Sequence, residues 1–417
     1  MKRIVLKIIY NILAKYTRAY LMRTKPFVIG ITGNVGKTSC RMILHKVLHT
    51  HLKNKVIYTS PKNFNSELGL ICSIFKIEEF KPGIKNLFKL MKEIKELSIN
   101  KEKEYDIIIL EYGIDRPRDM DFLLSVVKPD ISIFTKLGSI HVQNFGTKEK
   151  IGNEKIKLIF NTKYKTYLNF DDEYLKSKYK EININKQYFN KGGLKYEYKK
   201  VGENIISELK FDENVIKTNM LGTDNFAYLE LSYTILGDFG KRLENINEYI
   251  ELENQPGRFN VFSGLNDSIL IDSSYNAGPE SMKQMIENVR FLRDKLFSKY
   301  KIGFVIGDMR ELGKHSKELH KQLYLDLGKY DLLLSVGTET SKYFPDTVKK
   351  YLSSVEAGVF LKDELLKTKE KYIILFKGSQ NTIFVEEALK QVLADKNDEK
   401  KLVRQDDIWI EKKSKFY

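Results

Sequence analysis

The chain has 417 residues, 42% of them hydrophobic and 30% charged, with a formal net charge of +16, which is enough for two or three domains with cores of their own. Cys40 and Cys72 are the only cysteines; that excludes a disulfide framework and a cysteine-rich zinc site, and the reading expects a reducing, cytoplasmic location. No apolar run free of charge is long enough to span a bilayer, and the positive charge is spread along the chain as a solvated surface, so nucleic acid is not expected as a partner.

Residues 1–25 carry Lys2, Arg3, Lys7, Lys15, Arg18, Arg23 and Lys25 with no acid, interleaved with Ile4, Val5, Ile8, Ile9, Ile12, Leu13 and Tyr16 at near-helical spacing. They read as a basic amphipathic helix. Two placements are open: on an anionic membrane face, as a peripheral contact, or with the apolar stripe packed on the next domain. The second is preferred because a basic polar face is ordinary in so basic a chain.

Phe27-Val28-Ile29 reads as a strand, Ser39 to Leu48 as a helix, and between them lies Gly30-Ile31-Thr32-Gly33-Asn34-Val35-Gly36-Lys37-Thr38. Strand, glycine turn and helix together make a phosphate-binding loop: backbone N–H groups curl around an anion and the helix N-terminus adds partial positive charge. Gly33, Asn34, Gly36, Lys37, Thr38 and Ser39 are thus expected to hold ATP, with Lys37 at the outer phosphates and the Thr38 hydroxyl on Mg²⁺.

Lys55 to Thr59 reads as a second strand, leading into a polar loop, Ser60 to Gly69, whose Asn63, Asn65 and Glu67 are placed where open α/β sheets bind ligands. Residues 84–104 read as an amphipathic helix. Tyr105 to Glu111 is a continuous apolar run ending in a carboxylate, a buried parallel strand whose terminal Glu111 can hold Mg²⁺ opposite the phosphate loop. Asp130 to Thr135 is a further strand, with His141 just beyond it on the same presumptive sheet edge. Residues 161–220 have short alternating runs and read as a β-rich insert or edge. Strand-like runs at 268–272, 302–306, 332–336 and 372–376 alternate with helical stretches, as a Rossmann-like domain requires. The fold expected is therefore α/β: a central nucleotide-binding domain with a mostly parallel sheet over 26–254, a Rossmann-like C-terminal domain over 255–395, and a charged tail over 396–417.

Taken together, several stretches resemble the Mur ligase family, the ATP-dependent amide-bond ligases of peptidoglycan assembly. They are Gly30–Ser39, Asn63-Phe64-Asn65-Ser66-Glu67-Leu68-Gly69, Glu111-Tyr112-Gly113, His141 to Thr147, Gln255-Pro256-Gly257-Arg258-Phe259, Ile271 to Met282, Gly307 to Gly313 and Lys377-Gly378-Ser379, in family order. The resemblance implies ATP and Mg²⁺ as cofactors, Lys37, Glu111, His141 and Lys155 as catalytic groups, and Thr38, Glu111 and His141 around the metals. Lys155 matches the family lysine that is carbamylated in several members. Asn276 and Arg258 would reach ATP from the C-terminal domain, and Asp308, Glu311, His320, Lys377 and Ser379 would lie near the incoming amine. The resemblance further implies an enzyme that joins D-alanyl-D-alanine to a UDP-linked muramoyl tripeptide; a monomer is expected.

The chain also departs from the family pattern. About 25 residues precede the nucleotide-binding strand where full-length members carry a UDP-gripping domain, and no counterpart of that domain is expected. Gln143 stands for a carboxylate, Asp224-Asn225 for a His-Asn pair, Tyr228 for an Asn, and Gly278 for an Asn. Two other readings stay open: the same chemistry on a different acceptor, such as an amino-acid or poly-amino-acid ligase, and a P-loop ATPase switch at a membrane or nucleic acid.

Overall fold

Six strands form the central sheet: β1 (Phe27–Thr32), β2 (Ile57–Thr59), β3 (Ile107–Glu111), β4 (Ile131–Phe134), β5 (Lys165–Asn169) and β6 (Asn185–Phe189). They run parallel in the order β2-β3-β1-β4-β5-β6. The computed structural model describes residues 2–61, 66–80, 83–100, 102–202, 204–211, 213–241, 243–253, 255–380 and 382–416. β1, β3 and β4 read as unbroken apolar runs because both faces of the sheet are covered. Ile29, Ile31, Ile107 and Ile109 face a core shared with helices Lys37–His51 and Thr223–Asp238. Val28, Ile108 and Leu110 face the opposite core, built with helices Ile84–Asn100, Asp119–Val126 and Lys148–Phe160.

The basic N-terminal segment is one helix, Lys2–Thr24. Ile9, Leu13, Ala14 and Tyr20 are buried in the second of these cores, facing Leu87, Leu90 and Ile94. Arg18 donates to the Ser125 carbonyl at 2.6 Å and Arg23 to that of Ser98 at 3.1 Å, so two of the basic residues tie the helix down. Among the described residues no helix is long and apolar enough to cross a membrane.

The stretch expected to be β-rich supplies β5 and β6 and then a separate sheet. Its strands are β7 (Lys195–Val201), β8 (Asn204–Phe211), β9 (Asn214–Thr218) and β10 (Asn247–Ile250), with β7-β8-β9 antiparallel and β10 parallel to β9. Tyr196 and Tyr198 of β7 lie 5.4 and 5.7 Å from Phe291 of helix Pro279–Leu296, tying this sheet to the C-terminal domain.

That domain has β11 (Asn260–Ser263), β12 (Ile269–Asp272), β13 (Lys301–Gly307), β14 (Leu332–Val336), β15 (Lys349–Tyr351) and β16 (Tyr372–Lys377) in the order β11-β12-β16-β13-β14-β15. β11 is antiparallel to β12 and the other pairs are parallel. The four apolar runs read from sequence are β12, β13, β14 and β16; β11 and β15 are more polar and lack a signal of their own. The tail is folded too, as a 3₁₀ turn Lys396–Lys401 and a helix Asp407–Lys413.

Candidate active site

The phosphate loop keeps its shape through contacts made from outside it. Thr135, just past β4, donates its hydroxyl to the carbonyls of Thr32 at 3.1 Å and Val35 at 2.7 Å. Asn34 donates its N–H to the Lys136 carbonyl at 2.7 Å and its side-chain amide to the Ile140 carbonyl at 3.1 Å. Gly36 sits at φ 83, and a Cβ there would collide with the Tyr228 hydroxyl, so glycine is required twice over. Helix Lys37–His51 starts at once, its first N–H groups turned toward the loop. Lys37 folds back to donate to the Gly33 carbonyl at 2.8 Å, and burial lowers its pKa, with the Glu111 charge opposing.

Register places Glu111 beside Ile31, at the C-terminal end of the sheet. The Thr38 hydroxyl lies 3.4 Å from Glu111 Oε2, while Glu111 Oε1 accepts from Arg41 Nε at 2.7 Å. Arg41 then donates to Thr59 Oγ1 at 2.8 Å and to the Ser60 carbonyl. Arg41 is 2% and Glu111 4% exposed, so the pair is a buried bridge from the carboxylate beside Thr38 to Ser60, where the polar loop begins. Sequence reasoning passed over Arg41; it lies one turn after Lys37 on the same helix, hidden in a chain rich in basic residues.

His141 stands at φ 72 at the head of a short helix. Its Nδ1 is 2.7 Å from Glu311 Oε2 and its Nε2 is 3.4 Å from Asp115 Oδ1. Glu311 belongs to the C-terminal domain, and its hydrogen bond to His141 holds its carboxyl below the usual range. A second bridge joins Glu280, at the start of helix Pro279–Leu296, to Ser139 N at 3.0 Å, Ser139 Oγ at 2.7 Å and Lys148 Nζ at 3.0 Å.

The third bridge meets the phosphate loop directly. Arg258 Nη2 lies 3.5 Å from Thr38 Oγ1, and the guanidinium stacks over the Tyr275 ring at 4.2 Å. Gly257, at φ 73, lets Tyr275 N approach and donate to its carbonyl at 3.1 Å. Lys377 donates to Ser273 Oγ at 3.1 Å and the Asn276 carbonyl at 2.9 Å. Burial pushes its ammonium down to about 7, with Arg258 adding repulsion.

A cavity of about 410 Å³ unites Asn34, Gly36, Lys37, Thr38, Ser39 and Glu111 with His141, Arg258, Asn276, Glu311 and Lys377. Tyr275, from the Ile271–Met282 stretch, lines it as well, as do Asp115 and Asn288, which the sequence did not mark. Asp308 and Ser379 line an adjoining cavity with Glu311. The Asp308 carboxylate accepts from Thr340 N at 2.7 Å and Glu339 N at 3.1 Å, and Ser379 Oγ donates to the Ala277 carbonyl at 3.0 Å. His320 is buried, accepting from Met309 N at 3.0 Å. Glu67 opens helix Glu67–Ile74, capped by Ser66, and burial raises its pKa. Asn63 and Asn65 lie outside the described residues.

Lys155 is carried by helix Lys148–Phe160, which Thr147 caps by accepting from Lys150 N. It is 1% exposed, and burial holds its amine well below the ordinary value, with Lys37 adding to the shift. Among the described residues no cluster of three or more His, Cys, Asp or Glu side chains could hold a metal by itself. The Thr38 hydroxyl and Glu111 Oε2 nonetheless fit Mg²⁺, which takes most of its ligands from phosphate and water.

Residues 31–229 match the Mur ligase middle domain and residues 257–380 the glutamate ligase domain of Mur ligases. The UDP-N-acetylmuramoyl-tripeptide–D-alanyl-D-alanine ligase of Bacillus subtilis (strain 168) is 25% identical over 395 residues, 91% of this chain and 79% of that protein. The ligase of the same name from Rickettsia prowazekii (strain Madrid E) is 27% identical over 382 residues, 86% and 76% of the two chains. The crystal structure of MurF ligase from Thermotoga maritima in complex with ADP superposes with a TM-score of 0.74 at 25% identity, covering 94% of this chain and 84% of that one.

Proposed function

The chain belongs to the Mur ligase family, and from that premise we propose that it joins D-alanyl-D-alanine to a UDP-N-acetylmuramoyl tripeptide, using ATP and Mg²⁺ through an acyl phosphate. The observation that carries the reading is the meeting of Arg258 with Thr38. Two domains close over one phosphate-binding cavity, which a ligase needs and a simple switch does not. The likeness to an ADP-bound MurF ligase supports a nucleotide in that cavity.

Amide formation from a carboxylate is uphill in water, so the acid must first be activated. A carboxylate oxygen attacks the γ-phosphorus of ATP and the bond to the β-phosphate oxygen breaks, giving ADP and an acyl phosphate. The amine nitrogen then attacks the carbonyl carbon; the tetrahedral adduct expels inorganic phosphate and the nitrogen loses its proton. Positioning and charge neutralisation carry most of such a reaction. Mg²⁺, when bound, would neutralise charge on the phosphates. Lys37 swings from the Gly33 carbonyl to the outer phosphates, and Arg258 reaches them from across the cavity. Burial favours the uncharged amine of Lys155, the form whose nitrogen adds carbon dioxide and loses a proton to give a carbamate. The carbamate replaces repulsion between Lys155 and Lys37 with attraction. Asp308, Glu311 and Ser379 would frame the amine, with Asp308 bracing the helix Thr338–Tyr343 by its two backbone contacts.

The reading is tested with the purified chain, MgATP, the muramoyl tripeptide nucleotide and D-alanyl-D-alanine. The expected product has the mass of the pentapeptide nucleotide, and Lys37→Ala abolishes it. Phosphate release without that product refutes this acceptor.

A further inference from the structure

The tail beyond residue 395 plays no part in the reaction above, yet its Arg404 is buried against the turn that carries Tyr275. Arg404 is 7% exposed. Its Nε and Nη2 grip both oxygens of the fully buried Glu386 at 2.7 and 2.6 Å. The same Nη2 donates to the Ser274 carbonyl at 2.8 Å, and Nη1 donates to the Tyr275 carbonyl at 3.1 Å. Phe384 and Trp409 flank the guanidinium at 5.7 and 5.9 Å, and Arg404 itself holds a left-handed backbone at φ 60.

We propose that Arg404 is a positioning residue for nucleotide binding: it fixes the Ser274–Tyr275 turn so that the Tyr275 ring carries Arg258 to the phosphate loop. The contacts form an unbroken path, from Arg404 to the Tyr275 carbonyl, from the Tyr275 ring to Arg258, and from Arg258 to Thr38. Two features separate this from simple anchoring of the tail. Arg404 spends donors on two successive main-chain carbonyls of the turn, a planar fork that lysine cannot copy. Anchoring is also served by Lys413, which pairs with Glu386 at 3.0 Å and Glu387 at 2.5 Å. The proposal rests on the reading of the cavity as an ATP site.

The test uses the full chain with Arg404→Gln and Arg404→Lys, and calorimetric binding of a non-hydrolysable ATP analogue with Mg²⁺. Loss of charge-assisted bonds at the turn is expected to weaken binding about tenfold in Arg404→Gln and less in Arg404→Lys. In an Arg258→Ala background the same substitutions should change affinity less than about twofold, because the path is already cut. Unchanged affinity in both single variants overturns the proposal. So does an equal loss with and without Arg258, the mark of a general effect on folding. Should Arg404→Gln fail to fold, Arg404→Lys decides by the same criteria. A wild-type chain that binds the analogue but forms no amide refutes the ligase reading and leaves this one standing; a chain that binds no analogue refutes both.

Discussion

Gly36→Ala probes the phosphate loop most sharply, because the structure separates its two penalties. The backbone at φ 83 charges any L side chain about 1–2 kcal/mol. The new methyl would also overlap the Tyr228 hydroxyl and press on the ring, with Cζ at 2.8 Å and Cε2 at 3.0 Å. Tyr228 is 1% exposed, so its ring is enclosed and overpacking adds about 1–3 kcal/mol. The sum, about 2–5 kcal/mol, should lower the melting temperature by several degrees and weaken ATP binding. Tyr228→Phe removes the atom that the methyl meets first, so in that background Gly36→Ala should lose part of the overpacking penalty and keep the backbone one. The assay is a double-mutant cycle in urea unfolding, with ATP-analogue affinity measured in parallel. An equal cost of Gly36→Ala in both backgrounds would refute the account of Tyr228 as the floor beneath the loop.

Arg41→Met should cost about 3–5 kcal/mol in urea unfolding, because it strands the Glu111 charge in the interior. Adding Glu111→Leu should restore most of that stability without restoring turnover. Lys377, with its pKa near 7 when folded and near 10.4 when unfolded, is neutral in the fold between those values while the unfolded chain holds a proton. Its contribution therefore makes stability rise with pH across that window and vanish as a slope below it; Lys377→Met should flatten the dependence in pH-dependent unfolding. Lys155→Ala should lose at least about a hundredfold in turnover, within the range for removing a charged group from a transition state. Acetate or another small carboxylate should recover part of it, and failure of every such rescue would argue against a carbamate.

What was legible in the sequence is what local chemistry encodes. β1, the glycine turn and the helix after it are contiguous, and Glu111 ends an apolar run that could only be a buried strand. The four apolar strands β12, β13, β14 and β16 of the C-terminal sheet are similarly self-announcing. What was not legible depends on partners distant in the chain. His141 was read as a group at a sheet edge, but its closest partner is Glu311 in the other domain. Arg41 could not be singled out among so many basic residues until Glu111 and Thr59 were seen to enclose it. Tyr228, recognisable in sequence only as a departure, gains meaning from Gly36, which it underlies. The tail carried no periodic signal because its anchors, Glu386 and the Ser274–Tyr275 turn, belong to other elements.

The central claim is that two domains closing over one ATP prime an acid as its acyl phosphate. The most direct test supplies the chain with MgATP, amine and an acid whose carboxylate oxygens are enriched in a heavy isotope, then weighs the inorganic phosphate released. The account predicts transfer of one heavy oxygen from acid to phosphate for each amide formed. Amide formation with unlabelled phosphate would contradict it.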